Sequence, residues 1–419
     1  MIVYKFGGAS LNSASSINEL AGIISEIADD LVIVVSAFGK TTNTLEKILG
    51  LWYEGSNERF TALEELKMYH YKIMKDLRFS ASGSLLFAEI EKMAGNITAK
   101  LKAMPSPDYD FEYDQLVSTG ELFSSKIVSS FLNSQNIKNI WLDARKWMIT
   151  DNSFREGNVD FTESRTQLRH LIAPAGGRRI WLTQGFIGGT GDGFTTTLGR
   201  EGSDYSAAVI ASIIDAEILV VWKDVPGIMT ADPLFFPEAE KLDEISYQEA
   251  IELSFYGAKV IHPKTIKPLQ NKDIPLYVKS FANPREPGTV IHNTGYPVKI
   301  KPVLIVKTGQ ILLSLTPGDF SFVTEDYLSR IFTLFFKYRL KVNLIQHSAI
   351  SFTICLDNKG LPVRKMVDEL KTDFRVLYNE NLELITIRHY TPEIISRYIK
   401  GRQVLVEQRS RSTAMFIVR

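Results

Sequence analysis

The sequence predicts a layered α/β domain with a largely parallel central sheet, followed by ferredoxin-like βαββ units. Three observations predict it. Short apolar runs rich in β-branched residues alternate with helical spacing over roughly the first 300 residues. The pattern changes near residue 297 to a βαββ series. The chain also has 419 residues, too many for one ordinary core, so two or three domains are expected.

Ile2–Phe6 and Leu31–Ser36 read as buried strands, with an amphipathic helix over Ser16–Ala28 between them. Helical spacing runs from about residue 55 to 102, with a break expected at Ser80–Ser84. Pro105–Asp110 reads as a loop and Leu116–Asn133 as a helix. Ile140–Asp143, Arg179–Thr183 and Glu217–Trp222 read as strands, the last after a helix over Tyr205–Ile214. Repeated β-α-β units of this kind favour a parallel sheet covered by helices.

In the tail, Ile311–Thr316, Lys341–Gln346 and Ile350–Leu356 are expected strands. Glu325–Tyr338 and Leu361–Leu370 are expected helices, and Phe374–Tyr378 closes a βαββαβ module. A shorter series follows: Leu382–His389, Pro392–Ile399, Val404–Gln408 and Thr413–Val418. It lacks a final helix and strand, and Val303–Val306 is a candidate for the missing strand. The expected domains are residues 1–297, 298–380 and 381–419.

Composition removes several function classes. Lys plus Arg is 48 and Asp plus Glu is 48, so no net charge argues for nucleic acid or an anionic membrane as partner. No apolar run is long enough to span a bilayer, and the N-terminus lacks signal-peptide organisation. The single cysteine, Cys355, lies in an apolar alternating run and reads as a buried strand residue rather than a nucleophile. A reducing cytoplasm is the expected setting.

Six short motifs carry candidate chemistry. Lys5-Phe6-Gly7-Gly8-Ala9-Ser10 pairs a lysine at a strand end with two glycines whose backbone can approach a phosphate, although a Gly-Gly turn is often only a turn. Ser36 to Asn43 also follows a strand, where small hydroxyl residues suit a ligand crevice or a helix cap. Ser118-Thr119-Gly120-Glu121 places a carboxylate at a helix start, as a capping residue or as a site for an ammonium. Gln184-Gly185-Phe186-Ile187-Gly188 leads to Thr195 to Tyr205, which gathers three threonines, Arg200, Ser203 and Asp204 ahead of an apolar helix. Arg200 offers a bidentate fork for a carboxylate. Trp222 to Gly227 and Gly257 to Pro263 add Lys223, Asp224, Gly227 and Lys259, while His262 before proline reads as structural.

In this order and spacing the motifs resemble the aspartate kinase family of the amino-acid-kinase fold, over nearly the whole chain. The tail from about residue 298 resembles paired ACT units. The resemblance implies ATP-dependent phosphorylation of the L-aspartate side-chain carboxylate, the first step towards lysine, threonine and methionine. It implies that Lys5, Gly7, Gly8 and Lys259 hold ATP phosphates, with Lys223, Asp224 and Gly227 along the nucleotide. Ser36, Thr42, Glu121, Arg200 and Ser203 would hold aspartate, and Asp204 would organise the lysines. Lys5, Asp204 and Lys259 are the expected catalytic groups. Mg²⁺ is expected on phosphate oxygens and water, with no dedicated protein metal site.

Four residues depart from the family pattern: Glu201 where glycine is usual, Lys223 for threonine, Met229 for an aromatic residue and Leu234 for arginine. The tail is expected to self-associate as a homodimer. An amino-acid effector is expected to be threonine, if there is one, because Asn343, Gln346, Ser348 and Ala349 offer no acid to a lysine ammonium and only Asp319 stands nearby. The alternatives are another kinase of the same fold and an inactive amino-acid sensor.

Overall fold

The computed structural model describes residues 1–79, 85–172, 179–258, 261–295, 301–318 and 321–419. The chain divides into two units. The first comprises Met1–Ile228, Lys241–Ser254 and Lys259–Val298; the second comprises Met229–Glu240, Phe255–Ala258 and Lys299–Arg419. The expected boundary near 297 and the expected break at Ser80–Ser84 lie outside the described residues.

The first unit is built on an eight-stranded sheet. In spatial order its strands are Ile140–Leu142, Ile180–Gln184, Leu31–Val35, Ile2–Phe6, Ile218–Lys223, Leu276–Ser280, Thr289–His292 and Glu244–Ser246. Neighbours through Leu276–Ser280 pair in parallel; only the pairing to Thr289–His292 is antiparallel. The central strands Leu31–Val35, Ile2–Phe6 and Ile218–Lys223 are rich in Val and Ile, which suits strands covered on both faces. Phe6 stacks on Trp222 at 6.0 Å, and Tyr4 meets the same indole edge-on. The helix Gly202–Ile213 is buried along its whole length, and its Gly, Ser and Ala side chains leave room for that.

Helix ends differ from the sequence expectation for local reasons. The first helix is Ala14–Ser25, begun by a capping box between Ser13 and Ser16. A helix not separately expected, Thr41–Tyr53, starts directly in the hydroxyl-rich motif. The expected helix Leu116–Asn133 is two helices, Tyr109–Val117 and Thr119–Ser134. Asp108 starts the first by accepting the Phe111 N–H at 3.0 Å. The Thr119 hydroxyl donates to the Leu116 carbonyl at 2.6 Å where the two meet. A three-stranded sheet of Ile149–Thr150, Ile187–Thr190 and Thr195–Thr197, too short to show periodicity, carries the threonine motif.

The second unit holds one six-stranded antiparallel sheet. Its two central strands, Val303–Pro317 and Phe374–Arg388, each run through two modules where separate strands were expected. Ile311–Pro317 and Phe374–Asn379 belong to the βαββαβ module; Val303–Lys307 pairs with Leu384–Arg388 and supplies the shorter module's missing strand. The pairing shifts register between Lys307 and Gln310, and Gly309 and Asn381 there have positive φ. Cys355 is buried in the strand Phe352–Asp357, and burial pushes its thiol up to about 12.

Ile385 is fully buried against Leu304, Ile387, Phe416 and Val418 in the shorter module. Ile385→Ala should therefore cost about 2–5 kcal/mol, read as a lower midpoint in urea denaturation. A loss under about 1 kcal/mol would show that Val303–Lys307 does not close a packed core there.

Candidate active site

The parallel register places four sequence motifs on one edge of the sheet. The chain leaves Phe6 into Gly7-Gly8, Val35 into Ser36, Gln184 into Gly185 and Lys223 into Asp224, all at carboxyl ends of neighbouring strands. That edge is where open α/β sheets form ligand crevices.

Lys5 and Lys223 converge on Asp204. The Lys5 Nζ lies 2.7 Å from one carboxylate oxygen and the Lys223 Nζ 3.0 Å from the other. Asp204 is in the first turn of the helix Gly202–Ile213 and is buried. Burial alone would raise its pKa, but the two ammonium groups outweigh burial and hold it below the usual carboxylate range. Burial pulls Lys223 down, yet Asp204 and Glu201 together keep its pKa above the ordinary lysine value.

Gly8 is required by close approach. A side chain there would begin 2.3 Å from the Ala37 carbonyl oxygen, so the first glycine-rich turn lies against the end of the second strand. The Gly39 N–H donates to the Gly8 carbonyl at 3.0 Å and ties the two motifs together. Gly7 borders the Lys5 ammonium, 3.4 Å from where a side chain would begin.

Glu121 forms a second centre. It is buried at the start of the helix Thr119–Ser134, and its Oε2 has no hydrogen-bond partner. Burial raises its pKa to about 8, against the opposing pull of the Ala37 N–H and Lys5. The Thr41 hydroxyl is also buried and unpartnered, and Thr41 packs against Gly120. Thr42 is half-buried. Ser36 is buried, and its N–H donates to the Phe6 carbonyl. Ser203 is buried beneath Gly185.

Arg200 and Asp224 are exposed, and Gly227 is buried near Thr289. Lys259 lies outside the described residues. Glu201 has φ 53°, a left-handed backbone that glycine adopts freely and that costs another residue about 1–2 kcal/mol. Two departures from the family pattern, Glu201 and Lys223, are thus electrostatic neighbours. His262 caps the helix Pro263–Gln270 through Nδ1, as a structural role requires.

Sequence reading missed Asp114 and Gln115, while Gln184, the first residue of the Gln184–Gly188 motif, proves to be a buried support. Gln184 is fully buried, accepts the Ala144 N–H at 2.8 Å and donates to the Ser125 hydroxyl at 2.8 Å. Asp114 and Gln115 hold the strand Thr195–Thr197. Their only signal was polarity inside the short segment that leads to Glu121. Among the described residues no group of three His, Cys, Asp or Glu side chains is arranged to hold a metal ion.

The arrangement is a pair of basic side chains beside a glycine-rich turn, next to a buried acid with a vacant oxygen. It suits an anionic phosphate on one side and a small ammonium compound on the other. A profile of the Amino acid kinase family matches residues 1–280. The lysine-sensitive aspartokinase 3 of Escherichia coli K12 is 32% identical over 92% of this chain and 86% of its own. Aspartokinase 1, chloroplastic, of Arabidopsis thaliana is 30% identical over 88% of this chain and 65% of its own. The crystal structure of E. coli aspartokinase III in complex with aspartate and ADP superposes with a TM-score of 0.84, at 30% identity over 100% of this chain and 96% of that one. With motif order, sheet topology and whole-chain similarity in agreement, this chain belongs to the amino acid kinase family, among its aspartokinases.

Proposed function

We propose that this protein is an aspartate kinase, moving the γ-phosphoryl group of ATP to the side-chain carboxylate of L-aspartate to give 4-phospho-L-aspartate. The observation that carries the reading is the Lys5–Asp204–Lys223 bridge beside the Gly7-Gly8 turn, with buried Glu121 facing the same edge. An aspartate carboxylate is ionised at neutral pH and needs no general base. The protein's task is to bring two anions together and stabilise charge on the moving phosphoryl group.

Lys5 supplies that charge, together with Lys259 from the sixth motif. Asp204 keeps Lys5 and Lys223 in place while the nucleotide is absent. Gly7 and Gly8 admit the phosphates close to the backbone, and Lys223, Asp224 and Gly227 lie along the nucleotide. Arg200 takes the substrate α-carboxylate and Glu121 the ammonium, with Ser36, Thr42 and Ser203 as hydroxyl partners. Asp204 is engaged by two lysines, so Mg²⁺ would be held by phosphate oxygens and water; bound there it would neutralise phosphate charge. No described helix is long and apolar enough to cross a membrane, and the lone thiol is buried, which suits a cytoplasmic reaction.

The tail reads as two ACT units that pair with a second copy, one over Ile311–Asn379 and the other over residues 382–418 with Val303–Lys307 as its added strand. Its edge strands Val342–His347 and Val404–Arg409 expose Ile345 and Val404, and a partner would cover them. Asn343, expected as an effector contact, is instead engaged by Lys307, Gln310 and Asp357 at 2.8–2.9 Å. Gln346 and Ser348 remain as neutral groups for a hydroxyl-bearing effector. E. coli aspartokinase III has been crystallised with lysine and aspartate; this chain, lacking acids at those positions, should respond to threonine or to neither amino acid.

Kinetics test the assignment first. Wild-type protein should form ADP only when aspartate is present. Lys5→Met should lower turnover about a hundredfold or more, as for loss of a preorganised electrostatic donor. A variant with most of its activity would leave Lys5 a structural partner of Asp204 alone.

The second test is pH. In the ligand-free site Glu121 keeps its proton below about 8, and an ammonium needs the carboxylate. kcat/KM for aspartate, which reports the free enzyme, should therefore climb with pH and level off near about 8. Glu121→Gln should remove both the affinity and the climb. A flat wild-type profile would mean that Glu121 does not meet the ammonium.

The third concerns the tail. Light scattering at micromolar concentration should give two chains per particle, and activity should be insensitive to lysine alone. Strong inhibition by lysine would point to Asp319, which lies outside the described residues, or to an acid on the second copy.

A further inference from the structure

Asp114 lies at zero exposure in the last turns of the helix Tyr109–Val117. Its carboxylate accepts three hydrogen bonds. The Thr197 hydroxyl donates to Oδ1 at 2.6 Å, and the N–H groups of Thr197 and Arg155 donate to Oδ2 at 2.8 and 2.9 Å. A carboxylate can accept from all three groups at once because it carries no hydrogen of its own. The next residue, Gln115, holds Thr195 from both sides, donating to its carbonyl at 2.8 Å and accepting its N–H at 3.2 Å. The strand Thr195–Thr197 is therefore fixed to this helix at both ends.

Arg155 extends the contact. Its backbone is left-handed, at φ 68°, with its N–H on Asp114. Its carbonyl oxygen sits 3.3 Å from where a side chain on Gly199 would begin, and Gly199, at φ 76°, directly precedes Arg200. The Lys264 ammonium donates to the Leu198 carbonyl at 3.3 Å. The turn that sets the direction of Arg200 is thus held by Asp114 through Thr197 on one side and Arg155 on the other. The helix that carries Asp114 continues after Ser118 into the one that carries Glu121.

We propose that Asp114 is a positioning residue for substrate recognition, fixing Arg200 at a set distance from Glu121 so that one amino acid meets both. The proposal rests on the assignment of Arg200 and Glu121 to aspartate. The charged and titratable groups around Asp114 are Arg155, which pairs with Asp110 at 3.1 Å and covers the Tyr113 ring, Tyr113 itself, hydrogen-bonded to Glu46, and Lys264 beyond Leu198. Burial, opposed by the Thr197 and Arg155 hydrogen bonds, raises Asp114 to about 6. Protonation removes one acceptor from the three donors, so the grip on the turn loosens as pH falls through that value.

Asp114→Asn tests this on the full-length protein. Its carbonyl oxygen keeps both N–H groups and its amide meets the Thr197 hydroxyl, so it preserves shape but not charge. The variant should bind aspartate as the wild type does when Asp114 is protonated. We expect aspartate KM to rise about tenfold, with ATP KM unchanged within about twofold. In the wild type, the pH profile of kcat/KM for aspartate should steepen a second time below about 6; in Asp114→Asn that inflection should vanish while the one from Glu121 remains. Asp114→Ala should raise aspartate KM further, and if it fails to fold the asparagine variant decides alone. An active wild type whose Asp114→Asn variant kept its aspartate KM and its pH profile would overturn the proposal, as would equal rises in both KM values. Wild-type protein that formed no ADP with aspartate would overturn the kinase reading and this proposal with it.

Discussion

The buried carboxylate of Asp204, held between Lys5 and Lys223, is the constraint on which the site depends. An ion that deep costs several kcal/mol unless it is paired, so the two strands that supply the lysines cannot shift independently. Lys5 stands opposite Val221 in the parallel register, and Lys223 follows two residues later. With a side-chain period of two, both lysines face the same side of the sheet. A one-residue slip would send one of them to the opposite face and leave Asp204 half-paired.

Around that bridge the site is made of short connections on a stiff frame. The glycine-rich turn rests on Ala37, and Ala37 in turn donates to Glu121. The glycine-rich turn and the Glu121 carboxylate therefore share one support, the end of the second strand. Glu121 stays buried with an open oxygen because Thr119–Ser134 packs against that strand end, and its raised pKa follows from the same burial.

The second unit solves a different problem. Two modules of a ferredoxin-like kind use the same two long strands, so neither has an unpaired edge at the junction. The register shift at Lys307 to Gln310 opens polar backbone and side chains there. Lys307, Gln310, Asn343 and Asp357 close over them as a connected hydrogen-bond network, with the Cys355 thiol donating to Gln310.

The sequence by itself determined the class of fold, the order of the six motifs and most strand positions, because β-branched runs and glycine turns are local signals. It also pointed to Val303–Val306 as the missing strand of the shorter module. Tertiary structure alone decided what those local signals cannot encode. It joined Phe374–Tyr378 and Leu382–His389 into one strand, because both segments pair with the same long strand on either side of a register shift. It split Leu116–Asn133 at Ser118, where a threonine hydroxyl competes for a carbonyl. It tied Asn343 to Gln310 and Asp357 on neighbouring strands. Asp114 was illegible for the same physical reason: its partners Arg155 and Thr197 lie about 40 and 80 residues away, and only packing brings their donors to one carboxylate.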